Sequence, residues 1–238
     1  MQAIYGVVLG LHVLGGAVGL LSMGGPLVAP KGGTAHHRWG WIFVAAMTLS
    51  TITGVVIAAS WLTIPGWVKT LPADPAAAAR VATRIRDAGA FFGVLSLMSA
   101  QAIVVGMRAT RDRTSSPTAH PTARVVTALL GGAAVLALVR GLPTMDPFLL
   151  VGAGLGGVNA WAGLRPRRDK SWLRIHIEAM LGACTVATTA FVVQMTGRIT
   201  TGAVASALAW TLPVVLGMGL TALWTRRLQQ RKMSIARA

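Results

Sequence analysis

The chain is poor in the side chains that most soluble enzymes rely on. Its 238 residues include one cysteine, one tyrosine, one glutamate and six acidic residues in all. The single Cys184 excludes an intrachain disulfide, a CxxC redox pair and a thiolate metal cluster. No apolar run carries a pair of carboxylates, and neither HExxH nor GxSxG occurs, so a soluble-type catalytic set is hard to assemble. Charged residues make up 12% of the chain, against roughly a quarter in an ordinary soluble domain. No stretch is polar enough to form a soluble domain of its own.

What the chain has instead is apolar surface. Hydrophobic residues account for 54%, and the mean hydropathy is +0.64. One soluble core cannot enclose that much; a bilayer can solvate it, provided the backbone bonds internally as helices. The expected fold is all-α, a polytopic bundle of seven transmembrane helices forming one domain over 1–238. The apolar runs lie at about 4–28, 40–63, 89–107, 125–142, 146–164, 174–196 and 203–225, most near the ~20 residues that cross hydrocarbon. The first has no basic segment before it and is too long for a cleaved signal, so it reads as a retained span. The fourth and fifth are divided only by a turn at Pro143 and Pro147, where one broken span is the alternative.

The net charge of +16 would suggest nucleic acid in a soluble chain. Here the cations sit between apolar runs, so the expected partners are the bilayer and its anionic headgroups, with no nucleic acid. Alternate gaps divide the 22 basic residues unequally. Lys31, Arg38, Arg108, Arg111, Arg113, Arg124, Arg165, Arg167, Arg168, Lys170, Arg174 and the tail 226–238 lie on one side. Lys69, Arg80, Arg84, Arg86, Arg140 and Arg198 lie on the other. That bias predicts an outside N-terminus and a cytoplasmic C-terminus. Arginine outnumbers lysine 18 to 4, which together with the alanine and glycine content points to a GC-rich bacterium and its inner membrane. Between 75 and 88, Asp74 as cap and Pro75 as first residue predict a short amphipathic surface helix. Tryptophans fall near the expected boundaries, Trp39, Trp41, Trp161, Trp172 and Trp224 inside, Trp61 and Trp67 outside.

Gly152, Gly154 and Gly157 satisfy GxGxxG, but without a strand or a downstream acid the pattern reads as helix packing through Gly152-xxx-Gly156. Gly6-xxx-Gly10 and Gly15-xxx-Gly19 read the same way, and such faces also suit a helix-mediated homo-oligomer. Arg140 and Asp146 flank the outer turn as an expected ion pair. Threonines and serines at 48–53 and 185–189 either line a pathway or bond back to their own helices.

Histidines carry the functional expectations. His12 lies about 12 Å deep in the first span. It is either a haem ligand, with Gly15, Gly16 and Gly19 admitting a planar group and Met98 as second axial ligand, or a neutral ring bonded to Ser96, Ser99 or Gln101. His36, His37 and His176 share one membrane face by parity, since four spans separate Arg38 from Trp172. His176 and Met180 lie on one helical face, and Glu178 is about 200° from His176. Glu178 needs a partner, from Arg38, Arg174 or a histidine. These residues make a candidate inner site: histidines for haem, a metal or a quinone, with Arg38 and Arg174 holding an anionic group. The alternative is an interfacial cluster anchoring helix ends to lipid phosphates.

Two segments resemble an uncharacterised group of bacterial multi-pass membrane proteins, the domain of unknown function 2306 (DUF2306) family. One is Lys31-Gly32-Gly33 with His36, Arg38 and Gly40, leading to Met47 and preceded by the span with His12. The other is Trp172, His176 and Met180, leading to Thr189-Ala190-Phe191. The resemblance covers about a fifth of the chain and implies a helical bundle with a histidine-bearing interface. Haem b would follow by analogy with b-type membrane cytochromes, whose paired histidines match in part. The competing functions are a proton-coupled or small-solute transporter using His12 and Glu178, and a non-catalytic assembly partner.

Overall fold

The computed structural model describes residues 2–113, 119–165, 171–200 and 202–237. Of the cations counted above, Arg167, Arg168 and Lys170 lie outside this set, as do the side chains of Arg231, Lys232 and Arg237. Among the described residues all regular structure is helical: α1 (Gln2–Ser22), α2 (Gly24–Val28), α3 (Thr34–Thr63), α4 (Pro75–Asp112), α5 (Pro121–Gly141), α6 (Pro147–Leu164), α7 (Trp172–Ile199) and α8 (Ala203–Arg237), with one 3-10 turn at Pro65–Trp67. Seven helical stretches among these residues are long and apolar enough to cross a membrane, α1 with α2 counting as the first. Large apolar side chains such as Leu21, Val28 and Ile199 are more than four-fifths exposed, as lipid-facing positions require.

The local chemistry explains the boundaries. Pro65 drives Ile64 out of the helical region (φ −133°, ψ 68°) and ends α3. Asp74 accepts from the Ala77 amide at 2.7 Å, with Pro75 as the first residue of α4. The turn expected at Pro143 and Pro147 is present, and two helices flank it. Its acid, Asp146, accepts from the Phe148 and Leu149 amides at 2.9 and 3.0 Å and so caps α6. The expected Arg140–Asp146 pair is therefore replaced. Arg140 instead reaches Asp87 on α4, with 2.7 Å and 2.9 Å contacts to one carboxylate oxygen.

Two expectations change. The stretch 75–88 is no separate surface helix. It continues unbroken into the third span as one helix of 38 residues, about 57 Å at 1.5 Å per residue, against ~30 Å of hydrocarbon. The first span, by contrast, breaks at Met23, just before Pro26, which has no amide to donate.

Contacts divide the chain into two units, Met1–Gln101 with Arg124–Arg165, and Ala102–Ala123 with Pro166–Ala238. In the first, α1 runs antiparallel to α3 in a single register. Trp61 Nε1 donates to the Tyr5 hydroxyl at 3.0 Å, His12 meets Ser50, Gly19 meets Met47, and Gly25 lies against Trp39. A Cβ on Gly15 would stand 2.9 Å from the Ala46 carbonyl oxygen and 3.0 Å from the Ser50 nitrogen. Glycine is needed there because the obstacle is backbone. Gly152 and Gly156 face Phe91 and Val94 on α4, whereas Gly154 and Gly157 have nothing within 4 Å. That spacing of four is helix packing. Gly6 and Gly10 also face open space, so the packing expected of them is not made within this chain. In the second unit, Val105 and Ala109 of α4 pack on Ile175 and Ala179 of α7, and α7 packs along α8, where Thr185 occupies the clearance left by Gly217.

Candidate functional site: histidines seated on backbone carbonyls

In the first unit, His12 projects from α1 onto α3. Its Nδ1 donates to the Ser50 carbonyl oxygen at 2.9 Å, with the Ser50 and Thr53 hydroxyls each at 3.4 Å. A carbonyl oxygen only accepts, so Nδ1 is the donor nitrogen, and in the neutral tautomer Nε2 is the acceptor. The ring needs Gly54. A Cβ there would stand 3.1 Å from His12 Cε1 and 2.7 Å from Ser96 Oγ. His12 is thus hydrogen-bonded, and to α3 rather than to the expected side chains of α4. Gln101, one of the expected partners, donates instead to Thr127 Oγ1 at 3.0 Å and the Asn159 carbonyl at 3.3 Å. Ser99 Oγ is the one buried side-chain polar atom among the described residues with no hydrogen-bond partner. Met98 is half-buried on α4.

The clearance imagined for a planar cofactor is taken. Ala46, Ser50 and Met47 close over Gly15 and Gly19, so the clearance those two glycines leave admits α3.

At the other end of the same helices, the turn between α2 and α3 seats Lys31 and His36 on carbonyls. Lys31 Nζ donates to the Pro26 and Leu27 oxygens at 2.6 and 2.7 Å, and to Ala29 at 3.4 Å. These oxygens end a helix and point where its dipole is negative, which is where an ammonium settles. Partial loss of water pulls the Lys31 pKa below the ordinary lysine value. His36 Nδ1 shares the Pro26 oxygen at 3.1 Å, again fixing Nε2 as the acceptor nitrogen. His37 is exposed, its ring edge-on to His36 at 6.0 Å between centroids, and Arg38 is exposed beside it.

In the second unit, His176 of α7 donates from Nδ1 to the Gly106 carbonyl of α4 at 3.0 Å. Met180, one turn on, lays its γ- and ε-carbons over the same glycine, in the space a Cβ would need. Ser171 caps the helix through the Arg174 amide at 3.4 Å. Glu178 finds its partner in Arg174, at 2.9 Å within one helix. The Arg113 guanidinium lies 5.9 Å from the Trp172 ring centroid. Gly106 is the residue that reading the sequence missed. Its signal was a lone glycine after Ile103, Val104 and Val105, in a helix that otherwise prefers bulk there.

The polar lines resolve as back-bonding. Thr51 donates to Thr48, Thr53 to Leu49, Thr185 to Leu181 and Thr189 to Thr185. Within either unit, among the described residues, no three His, Cys, Asp or Glu side chains are grouped as a metal would need.

Among the described residues, fold and site together define an all-α protein with seven membrane-length apolar helices and histidines bonded to backbone carbonyls. No protein-family model, curated protein or solved structure matches it.

Proposed function

We propose that the chain is a redox-type protein of the bacterial inner membrane, with its N-terminus outside, that binds haem b, another metal or quinone through histidines at its cytoplasmic side. The residues proposed as ligands are His36 and His37 in the first unit and His176 in the second. The observation that carries the reading is the common seating of His36 and His176. Each gives its Nδ1 proton to a backbone carbonyl, at 3.1 and 3.0 Å. That is how metal-binding imidazoles are held, since the carbonyl fixes the tautomer and raises the basicity of Nε2. Bound haem would supply one-electron transfer. The residues would orient it: Arg38, exposed beside His37, suits a propionate, whereas Arg174 is engaged by Glu178. The DUF2306-like segments centre on these same histidines. The basic rim would hold anionic headgroups of the inner leaflet.

An absorption spectrum with metal analysis tests this on protein purified from membranes. The expected result is a reduced-minus-oxidised Soret change, or stoichiometric metal, lost on replacing His36 or His176 by alanine. A colourless, metal-free preparation that cannot be reconstituted ends the haem and metal versions.

A second reading, proton-coupled transport, is favoured by the hydroxyls of Ser50 and Thr53 around His12. The Arg174 pairing ties Glu178 to an ion pair, so this relay runs through His12. Flux in proteoliposomes that His12→Ala leaves unchanged would dismiss it.

A further inference from the structure

We propose that Arg165, stacked on Trp161 at the end of α6, holds the phosphate of an anionic phospholipid, with Arg124 at the start of α5 as the second cation of the site. The proposal rests on the headgroup reading of the basic rim given above and gives it a ligand and named residues; it is independent of the histidine ligands.

The first unit carries its charges unevenly from end to end. Its three acids are Asp74, Asp87 and Asp146. Asp74 caps the start of α4, Asp87 holds Arg140 from the last turn of α5, and Asp146 caps the start of α6. All three therefore belong to the end where α5 passes into α6. The opposite end is reached by following the packing of the two helices. Gly141 meets Leu149, Gly156 meets Ala134, and Gly163 meets Thr127, so α5 and α6 run antiparallel. One turn further, the same register places Arg124 and Arg165 on neighbouring helix ends, where the unit has no described acid. Among the described residues no carboxylate pairs with either arginine.

Arg165 is already held in place. Its guanidinium carbon lies 3.8 Å from the Trp161 ring centroid, at van der Waals contact, and both residues are exposed. A guanidinium carries its N–H groups in its own plane, so a ring against its face leaves its edge for a phosphate. The contact also removes rotamer freedom that binding would otherwise have to remove.

The surroundings select a lipid over a free anion. Val158, Trp161 and Leu164 are each more than half exposed, and Gly157, one turn before Trp161, has nothing within 4 Å. The cation thus stands at the head of a bare apolar face on a helix of membrane length. A phospholipid uses both parts, its phosphate on the arginines and its acyl chains along α6. Inorganic phosphate uses only the first.

Native mass spectrometry of the full chain in detergent tests this, with phosphatidylglycerol and phosphatidylcholine of matched acyl chains as titrants. Helicity and elution volume are followed for each variant. The first phosphatidylglycerol should bind more tightly than phosphatidylcholine. Arg165→Gln should weaken it by about tenfold, the worth of a hydrogen bond to a charged group. Trp161→Leu should weaken it about two- to fivefold, and Arg124→Gln should also weaken it. Arg80→Gln, an equal change of charge at the acid-bearing end, should have no effect. Unchanged binding by folded Arg165→Gln would overturn the proposal, as would displacement of the lipid by millimolar inorganic phosphate. Equal weakening by Arg165→Gln and Arg80→Gln would overturn the site yet leave a diffuse basic rim standing. Equal affinity for the two lipids would end both.

Discussion

The seam between α1 and α3 and the seam between α4 and α7 use one hydrogen bond in two ways. In each, a histidine gives its Nδ1 proton to a carbonyl of the neighbouring helix, at 2.9 Å to Ser50 and 3.0 Å to Gly106. At the first seam Gly15 meets backbone, Gly19 meets the Met47 thioether, and the surroundings of the ring are hydroxyls. At the second the glycine lies on the acceptor helix and meets the flexible end of Met180. The backbone obstacle at Gly15 fixes the first seam at that point. The movable end of Met180 makes the second adaptable. The shared bond orients both rings; the neighbours decide what each can do.

The sharpest way to break this comparison is to add one methyl group. Gly15→Ala should destabilise the protein by about 1–3 kcal/mol, the usual range for overpacking, because the Ala46 carbonyl and Ser50 amide cannot step aside. Gly106→Ala should cost less, since the nearest obstacle is the flexible end of Met180 and the Ala179 Cβ, at 3.2 Å, has only a few tenths of an ångström to give, and Gly6→Ala should stay within about 0.5 kcal/mol. Denaturant unfolding in detergent orders the three. A Gly106→Ala as costly as Gly15→Ala would erase the distinction drawn here.

The next largest effect concerns Arg140. Replacing it by glutamine leaves Asp87 half-buried without its cation, at an expected loss of about 1–3 kcal/mol for a hydrogen bond to a charged group. A double-mutant cycle with Asp87→Asn should show coupling, and one with Asp146→Asn should show none. Coupling to Asp146 instead would restore the pair that the sequence suggested. Asp146→Ala by itself should cost about 1 kcal/mol, as loss of a helix cap does.

The smallest effect is that of pH at Lys31. Its folded pKa is lowered by loss of water, so the unfolded chain binds more protons between that lowered value and the ordinary 10.5. Stability should therefore rise slightly with pH across that alkaline window, and Lys31→Met should flatten the slope. A parent protein whose stability falls there, with the fall abolished in Lys31→Met, would show that the carbonyl contacts outweigh desolvation.

Much of the architecture was legible along the chain. Apolar runs of membrane length and the proline-marked turn at 143–147 anticipate the helices, because each depends on local composition. Asp74 with Pro75 marks a helix start for the same reason. What escaped is everything that depends on which residues face one another. Arg140 could be assigned an acid only by proximity in sequence, which offered Asp146, whereas packing of α5 on α4 supplied Asp87. Gly15 and Gly19 looked like clearance for a cofactor until α3 filled it. The amphipathic pattern at 75–88 matched a surface helix, and nothing local tells whether such a helix stops or runs on.

Sequence alone determined that the chain is helical and made for lipid, since hydropathy and helix length are sums over neighbours along the backbone. It also determined which residues are available for chemistry, few as they are. Only the tertiary structure decided what those residues do. A histidine's tautomer depends on the carbonyl opposite it, and a glycine's role depends on the atom that a Cβ would strike; both are properties of a second helix that no local pattern encodes.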